Sequence, residues 1–315
     1  MSKTHQLLPE RKNLHGHFSR DLPPVLTIAA GDTIQYTTLD AGWGLENFAG
    51  GAYQPRPEFE GRVKRLDDGH ALIGPVAIEG AEPGMTLAVE INTIRPGKWG
   101  WCLAGGWNHP VNRRLRIKDH GTVHAWELDA EKMIGRNHLG HEIALRPFMG
   151  VMGMPPVEPG IYPTAPPRPC GGNMDCKELV VGTTLFLPIS VAGGLFSVGD
   201  GHAVQGDGEV SITAIECPME LVELTFHLRD DFPLEVPAAR TPDAWITLGF
   251  DKDLNKAMYT ALEAMLALMG RLHNLERLDA LALASLAVDL RITQIVNGVR
   301  GVHAVLPHDR IRFPS

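Results

Sequence analysis

The sequence predicts a mainly β protein of the α+β class, in which a strand-rich body resembling a β-sandwich or barrel is followed by a C-terminal helical hairpin. Up to about residue 245, short apolar or alternating runs are separated by glycine and proline, and the 315 residues include 34 Gly and 24 Pro. This pattern is typical of strands joined by tight turns. After Gly249 the apolar residues recur at a spacing of three and four, which indicates helices. We therefore divide the chain into a β-rich region, 1–245, and a helical hairpin, 246–315.

Four stretches of the β-rich region read most clearly as strand, turn and strand, because apolar and polar residues alternate on either side of a Gly-containing turn. They are "PVLTIAAGDTIQYTTLD", "HALIGPVAIEGAEPGMTLAVEINTI", "TTLFLPISVAGGLFSVGD" and "GEVSITAIECPMELVELTFHL". The polar, proline-rich stretch "RDDFPLEVPAARTPDAW" then connects the body to the helices.

The helical hairpin is predicted from two amphipathic stretches. In the first, "DKDLNKAMYTALEAMLALMGRLHN", Asp251 or Asp253 is placed to cap the helix; the second, "ERLDALALASLAVDLRITQIVNG", is predicted to end at Asn297-Gly298. An apolar face of this kind packs against a core, and it is formed here by Met258, Leu262, Met265, Leu266 and Met269. Apolar surface of the hairpin that does not cover the β core would face another copy of the chain. We therefore expect a homo-oligomer, either a dimer, which we favour, or a higher assembly.

Charge and composition exclude several classes of function. The net charge is −8 and no basic stripe is present, which argues against a nucleic-acid partner. The first thirty residues contain no apolar core of a signal peptide, and no later stretch is long and apolar enough to span a bilayer. We therefore expect a cytoplasmic protein without membrane contact. The four cysteines form no CxxC pair, so reduced thiols are expected.

A candidate site lies in "FSVGDGHAVQGDGEV", residues 196–210. Asp200 and His202 are two residues apart, so on a strand they point to the same face, roughly 6–7 Å apart along the backbone. The same alternation applies to Asp207 and Glu209, and a hairpin would bring both pairs to one end of a sheet. Mixed imidazole and carboxylate ligands suit zinc or another first-row divalent ion. A calcium-like structural site and ordinary Asp-Gly turn chemistry are the alternatives.

A second acidic cluster, "CGGNMDCKEL" at 170–179, strengthens the case for a site. Asn173 and Asp175 again alternate, and Lys177 continues the same face. Asp40, at the end of the predicted strand "DTIQYTTLD", is a third candidate, for which the alternative is a turn cap.

Five motifs together resemble the acetamidase/formamidase family in order and spacing across nearly the whole chain. They are "GPVAIEGAEPGMTLAVEI", "RPFMGVMGMPP", "GNMDCKEL", "LPISVAGGLFSVGDGHAVQGDGEV" and "VDLRITQIVNGVRGVHAVLP", of which the stretch "GDGHAVQGDGE" is the most specific. The resemblance implies a hydrolase that cleaves the carbon–nitrogen bond of short aliphatic amides to a carboxylate and ammonia. It also implies a mainly β fold and a divalent metal, zinc or a surrogate.

The resemblance also implies roles for individual residues of the β-rich catalytic region. The residues carried over are Asp175, Asp200, His202 and Glu209 and, less directly, Asp40. Of these, Asp175, Asp200, His202 and Asp40 are the expected metal ligands. The expected nucleophile is a water molecule activated by the metal. We favour Glu209 as the base that takes its proton, with Asp207 as the second choice. Lys177 or a backbone N–H of Gly171-Gly172 would face the developing oxyanion.

Three alternatives stay open at this point. A thiol nucleophile would be Cys170 or Cys176, although an acid beside Cys176 disfavours the thiolate. A hydrolase of the same fold would act on a larger or cyclic amide, since "AGWGLENFAGGAYQP" and "WNHPVNRRLRIKDHGTVHAW" do not read as typical of short-amide members. A non-catalytic β-domain would bind a metal or small molecule without turnover.

Overall fold

The mainly β prediction is confirmed. The computed structural model describes residues 2–312, and within them the chain forms 21 strands, three α-helices and one short 3-10 helix. The strands of the first half are β1 (Thr4–Leu7), β2 (Leu14–His15), β3 (His17–Phe18), β4 (Leu26–Ile28), β5 (Thr33–Thr38), β6 (Leu72–Ile78), β7 (Thr86–Pro96), β8 (Trp99–Gly105), β9 (Gly121–Asp129), β10 (Ile134–Asn137), β11 (Glu142–Ala144) and β12 (Phe148–Gly153). Those of the second half are β13 (Tyr162–Pro163), β14 (Gly171–Asn173), β15 (Thr184–Pro188), β16 (Phe196–His202), β17 (Met219–Arg229), β18 (Ala238–Arg240), β19 (Ala244–Asp251), β20 (Asp289–Gln294) and β21 (Arg300–Pro307). The helices are α1 (Pro110–Leu115), α2 (Leu254–His273) and α3 (Arg277–Ala287), and the 3-10 turn is Arg11–Asn13.

Two large sheets form the body. The nine-stranded sheet has the order β1-β5-β17-β7-β15-β18-β19-β21-β20, and the six-stranded sheet contains β14-β12-β16-β6-β2 with β4 beside β6. A four-stranded sheet, β11-β10-β9-β8, and the pair β13-β3 complete the fold. Most pairings are antiparallel, as the Gly- and Pro-rich turns of the sequence predict.

The main core lies between the two large sheets. Val89 and Phe226 come from the nine-stranded sheet, and Ile73, Met149 and Phe196 come from the six-stranded sheet, all with essentially no exposure. The rings of Phe196 and Phe226 meet edge to face at 5.1 Å. The alternation of buried and half-buried residues along β5 and β17 follows from this two-layer packing.

The C-terminal helices cover the far end of the nine-stranded sheet. Asp253 caps α2 by accepting a hydrogen bond from the backbone N–H of Asn255, as predicted. The predicted apolar face is core, because Met265, Leu266 and Met269 are buried and Met258 and Leu262 pack against the same cluster. At Gly249 the helix comes so close that a Cβ would lie 2.2 Å from the carbonyl oxygen of Ala257, so only glycine fits there.

The predicted extent of the second helix is wrong. Helix α3 ends at Ala287, and 289–294 forms β20, which pairs with β21 instead of continuing to Asn297-Gly298 as a helix. Arg291 and Ile292 lie within this antiparallel ladder. Tertiary pairing here outweighs the local three- and four-residue spacing of apolar residues.

The six-stranded sheet brings the predicted site motifs together. Strand β12 lies between β14 and β16, so that Val151 is paired with Asn173 on one side and with Gly199 on the other. The two motifs that carry Asp175 and Asp200 therefore flank Gly150, which lies between them on β12. Among residues 2–312, none of the helices combines the length and apolar character needed to cross a bilayer.

Candidate active site

Five ionisable side chains converge behind β12 in a buried cluster, which we call the acidic centre: Asp175, Asp200, His202, Glu209 and Glu216. His202 Nε2 lies 3.3 Å from Asp200 Oδ1 and 3.2 Å from Glu216 Oε2. Its Nδ1 lies 3.9 Å from Asp175 Oδ1. Two overlapping sets of three donors, Asp175-Asp200-His202 and His202-Glu209-Glu216, each have ligand atoms within 4.8 Å of one another.

The backbone holds three of these carboxylates in an unusual conformation. The φ angles of Asp175, Asp200 and Glu209 are +50°, +60° and +45°, in the left-handed region that favours glycine. Such residues cost of order 1–3 kcal/mol each and concentrate at functional sites. All three side chains are turned into the same buried volume by this conformation.

Hydrogen bonds orient the imidazole of His202. Gln205 Nε2 donates to the carbonyl oxygen of Asp175 at 2.8 Å, which leaves Gln205 Oε1 facing His202 Nδ1 at 3.0 Å. Because an amide oxygen only accepts, Nδ1 carries the proton in neutral His202 and Nε2 presents its lone pair to the centre. A second hydrogen bond of this kind is what fixes metal-binding histidines.

A hydrogen bond and a neighbouring glycine position the carboxylate of Asp175. Asp175 Oδ2 accepts a hydrogen bond from Asn297 Nδ2, while Oδ1 has no hydrogen-bond partner. A Cβ at Gly150 would lie 2.4 Å from Asp200 Oδ2 and 2.7 Å from Asp175 Oδ1. The missing Cβ at Gly150 therefore provides the space that the carboxylates of Asp175 and Asp200 occupy.

Burial and neighbouring charges together set the pKa values of the centre. Burial raises the pKa of Asp175 to about 6 and that of Glu216 to about 8. Burial also raises the pKa of Asp200, but the charge of His202 and its hydrogen bond outweigh this and lower the pKa of Asp200 below its usual value. Burial, followed by the charges of neighbouring Asp175 and Glu216, also raises the pKa of Glu209 well above its usual range. For His202 burial acts the other way, but the charges of Glu216 and Asp200 outweigh it and raise its pKa.

These donors fit a divalent cation. Four carboxyl groups and one imidazole share a buried volume, so full ionisation leaves an excess of negative charge that burial penalises strongly. Asp175 Oδ1, Glu209 Oε2 and Glu216 Oε2 are buried without any hydrogen-bond partner. A metal ion satisfies both the charge and these oxygen atoms, and oxygen and imidazole donors suit zinc or another first-row divalent ion.

A cavity of about 580 Å³ opens onto the centre, and Asp200, Glu209 and Glu216 line it. Asn173 and Asn297 supply amide groups, and Trp101, Ile161 and Ile212 supply apolar wall. A concave apolar cavity with a few convergent polar groups is the usual form of a small-molecule site.

Asp207 and Lys177 lie outside this cavity wall. Lys177 Nζ is 3.1 Å from Asp207 Oδ1, and Arg291 donates to Asp207 Oδ2 at 2.8 and 2.6 Å. Arg291 also contacts Glu178 at 2.8 Å. The predicted alternation of Asp207 with Glu209 fails because 207–210 is not a strand and Glu209 has a positive φ. Catalytic roles for Asp207 and Lys177 stay predictions that these ion pairs do not favour.

Asp40 is also separate from the acidic centre. Its carboxylate accepts hydrogen bonds from Trp101 Nε1 and the backbone N–H of Gly44, both at 2.6 Å, and pairs with Arg56. These donors occupy both oxygens, so Asp40 supports the cavity wall through Trp101. Its assignment as a metal ligand stays a prediction.

Sequence reasoning missed Glu216, Asn297 and His70. Glu216 reaches the centre because its backbone bridges to His202 and Trp101, partners 14 and 115 residues away. Asn297 lies between β20 and β21, and His70 precedes β6 on the cavity wall. No local spacing marks them; the family motif "VDLRITQIVNGVRGVHAVLP" contains Asn297 and was the one available signal.

The cysteines are free, as expected. Burial raises the pKa of the Cys170 thiol, and it raises that of Cys176, beside Glu178, well above its usual range. Neither residue lines the cavity. The thiol alternative is therefore disfavoured.

Comparison with known proteins gives a consistent result. The family model of the acetamidase/formamidase family matches residues 1–161 and 157–311. A putative formamidase of Schizosaccharomyces pombe is 28% identical over 256 residues, which cover 64% of this chain and 60% of the relative. A formamidase of Methylophilus methylotrophus is 26% identical over 248 residues, which cover 63% of this chain and 60% of that protein. The matches thus span about three fifths of these curated relatives.

The fold matches a solved structure along almost its whole length. The crystal structure of an acetamidase from Bacillus halodurans superimposes with a TM-score of 0.82 and 26% identity, over 96% of this chain and 97% of that chain.

Proposed function

Because the chain belongs to the acetamidase/formamidase family, we propose that it hydrolyses the carbon–nitrogen bond of short aliphatic amides to a carboxylate and ammonia. The observation that carries this proposal is the buried acidic centre that opens onto a cavity through Asp200, Glu209 and Glu216. Formamidases and an acetamidase among the similar proteins support the same substrate class.

A divalent metal, zinc by our proposal, would be held by Asp175, Asp200, His202 and Glu216. Asp200 and Glu216 both lie beside His202 Nε2, and Asp175 forms a set of close donors with Asp200 and His202. When bound, such an ion lowers the pKa of a water ligand and polarises a carbonyl oxygen. Three features orient these donors. They are the positive φ angles of Asp175 and Asp200, the hydrogen bond between Gln205 and His202, and the space that Gly150 leaves by having no side chain.

Glu209 is the proposed proton carrier. Its Oε2 is buried and has no hydrogen-bond partner, and the residue lines the cavity. Burial and neighbouring carboxylates raise its pKa, which makes it a stronger base than an exposed glutamate. Glu209 would take a proton from water at a carboxylate oxygen and return it to the amide nitrogen, which leaves as ammonia.

A larger amide is the second candidate substrate. A cavity of about 580 Å³ falls within the ~300–1,000 Å³ typical of sites that enclose drug-sized ligands, which are much larger than acetamide. A non-catalytic binding domain is the third candidate, and bound metal without turnover would favour it.

The test is ammonia release by the purified protein from formamide, acetamide, propionamide and a bulkier or cyclic amide. We expect turnover of the small amides. Turnover of the bulky amide alone would establish the second candidate. No ammonia from any amide, with metal bound, would refute the proposed hydrolysis.

Assembly and location stay predictions from the sequence, namely a homodimer or higher oligomer in the cytoplasm. Leu278 and Leu286 of α3, each 80% exposed, support an apolar contact between copies. Light scattering of the wild-type protein and of a Leu278→Asp variant would measure the oligomeric state.

A further inference from the structure

His70 is a cavity residue that the proposed mechanism has not used. It precedes β6, is half-buried and lines the same cavity as Asp200, Glu209 and Glu216.

Thr164 fixes the imidazole of His70. Thr164 is completely buried, and its Oγ1 accepts a hydrogen bond from the backbone N–H of His70 at 3.0 Å. The same Oγ1 lies 2.7 Å from His70 Nδ1. The close packing extends to the preceding residue, where a Cβ on Gly69 would lie 2.2 Å from this oxygen.

These contacts determine the tautomer. A buried hydroxyl needs an acceptor for its own proton, and His70 Nδ1 is the acceptor that the structure places within hydrogen-bond distance of Thr164 Oγ1. If Nδ1 accepts, the proton of the neutral ring is on Nε2. Within residues 2–312, His70 Nε2 has no hydrogen-bond partner, and it is not among the fully buried atoms.

We propose that His70, as the neutral Nε2–H tautomer, donates a hydrogen bond to the amide carbonyl oxygen as that oxygen gains negative charge, and that Thr164 is the positioning residue for its ring. The inference rests on the proposed amide hydrolysis and adds a catalytic residue to it. A donor already oriented toward the place where charge develops stabilises the transition state more than the ground state. A neutral histidine acting as an electrophile has precedent in enzymes.

The experiment compares His70→Ala, Thr164→Val and Thr164→Ser with the wild-type protein. We expect His70→Ala to lower kcat about 10²–10³-fold, as loss of one oxyanion donor does, with KM changed less than about 3-fold. Thr164→Val should lower kcat about 10-fold, and Thr164→Ser, which keeps the hydroxyl, should recover most of that loss. His227→Ala, on a half-buried residue of β17 whose side chain contacts Glu90 outside the cavity, is the matched control.

Two further readouts separate this role from a structural one. Metal content by mass spectrometry should be unchanged in His70→Ala. Long-range proton–nitrogen NMR of ¹⁵N-histidine-labelled protein should assign the Nε2–H tautomer to His70 in the wild-type protein, and Thr164→Val should shift that tautomer population.

Several results would overturn the inference. If the wild-type protein releases ammonia and the rate of His70→Ala lies within 3-fold of it, the role of His70 is refuted and the proposed function stands. Loss of metal from His70→Ala would make His70 a ligand instead. Equal rates for Thr164→Val and Thr164→Ser would remove the positioning role. Absence of any wild-type turnover would refute the inference together with the proposed function.

Discussion

Gly150→Ala is predicted to disable the acidic centre without unfolding the protein. The new Cβ would lie 2.4 Å from Asp200 Oδ2, 2.7 Å from Asp175 Oδ1 and 3.0 Å from His202 Cε1, whereas ordinary contact begins near 3.4 Å. The two oxygen atoms must therefore move by about 1 Å and 0.7 Å. Metal–ligand distances tolerate only about 0.2 Å, and a misplacement of about 1 Å costs on the order of 10²-fold in rate.

We expect Gly150→Ala to lower metal affinity and kcat/KM each by about 10² or more, with an overpacking cost of about 1–3 kcal/mol in the free energy of unfolding. Metal titration, ammonia release and thermal unfolding measure the three quantities. Gly206→Ala is the matched control, because nothing lies within 4 Å of the Cβ position there. Stoichiometric metal and near-normal turnover in Gly150→Ala would refute the proposed geometry.

Three further predictions follow from particular side chains. Glu209→Gln should lower turnover about 10²–10⁴-fold while metal content stays unchanged; normal turnover would remove Glu209 as the base. Asp32 accepts hydrogen bonds from the backbone of Lys3, from His5 and from the backbone of Ala29, which lower its pKa from 3.8 to about 2. Its stabilising contribution is therefore complete above pH 4 and lost as the pH falls toward 2, so denaturant titrations from pH 5 to 2 should show a smaller decline in Asp32→Asn. Cys176→Ser should retain kcat within a few-fold, because burial keeps that thiol protonated; a 10³-fold loss with the fold intact would revive the thiol mechanism.

The part of the centre that local sequence encodes could be predicted. Asp200 and His202 are two residues apart on β16, and their side chains meet at 3.3 Å, as the spacing predicts, although the positive φ of Asp200 is not that of a regular strand. The same rule misplaced Asp207. The positive φ of Glu209 interrupts the alternation, and Asp207 accepts a hydrogen bond from Arg291 outside the cavity. Backbone conformation in a glycine-rich turn is decided by the surrounding contacts more than by residue spacing.

The non-local part of the site could not be predicted. Glu216, His70 and Asn297 come from three separate loops that only the sheet topology brings to one cavity. For the same reason β20 was mistaken for helix, since its pairing with β21 overrides its local spacing of apolar residues. The strand-rich body and the capped helix α2 depend on periodicity, turn residues and Asp253, all of which are local signals.

A metal at the acidic centre is tested most directly by ammonia release from formamide and acetamide by chelator-stripped protein, before and after reloading with zinc, beside Asp200→Asn treated identically. We expect little turnover by the stripped protein, recovery in the reloaded wild type and no recovery in Asp200→Asn. Equal activity of stripped and reloaded wild-type protein would contradict a metal at the acidic centre.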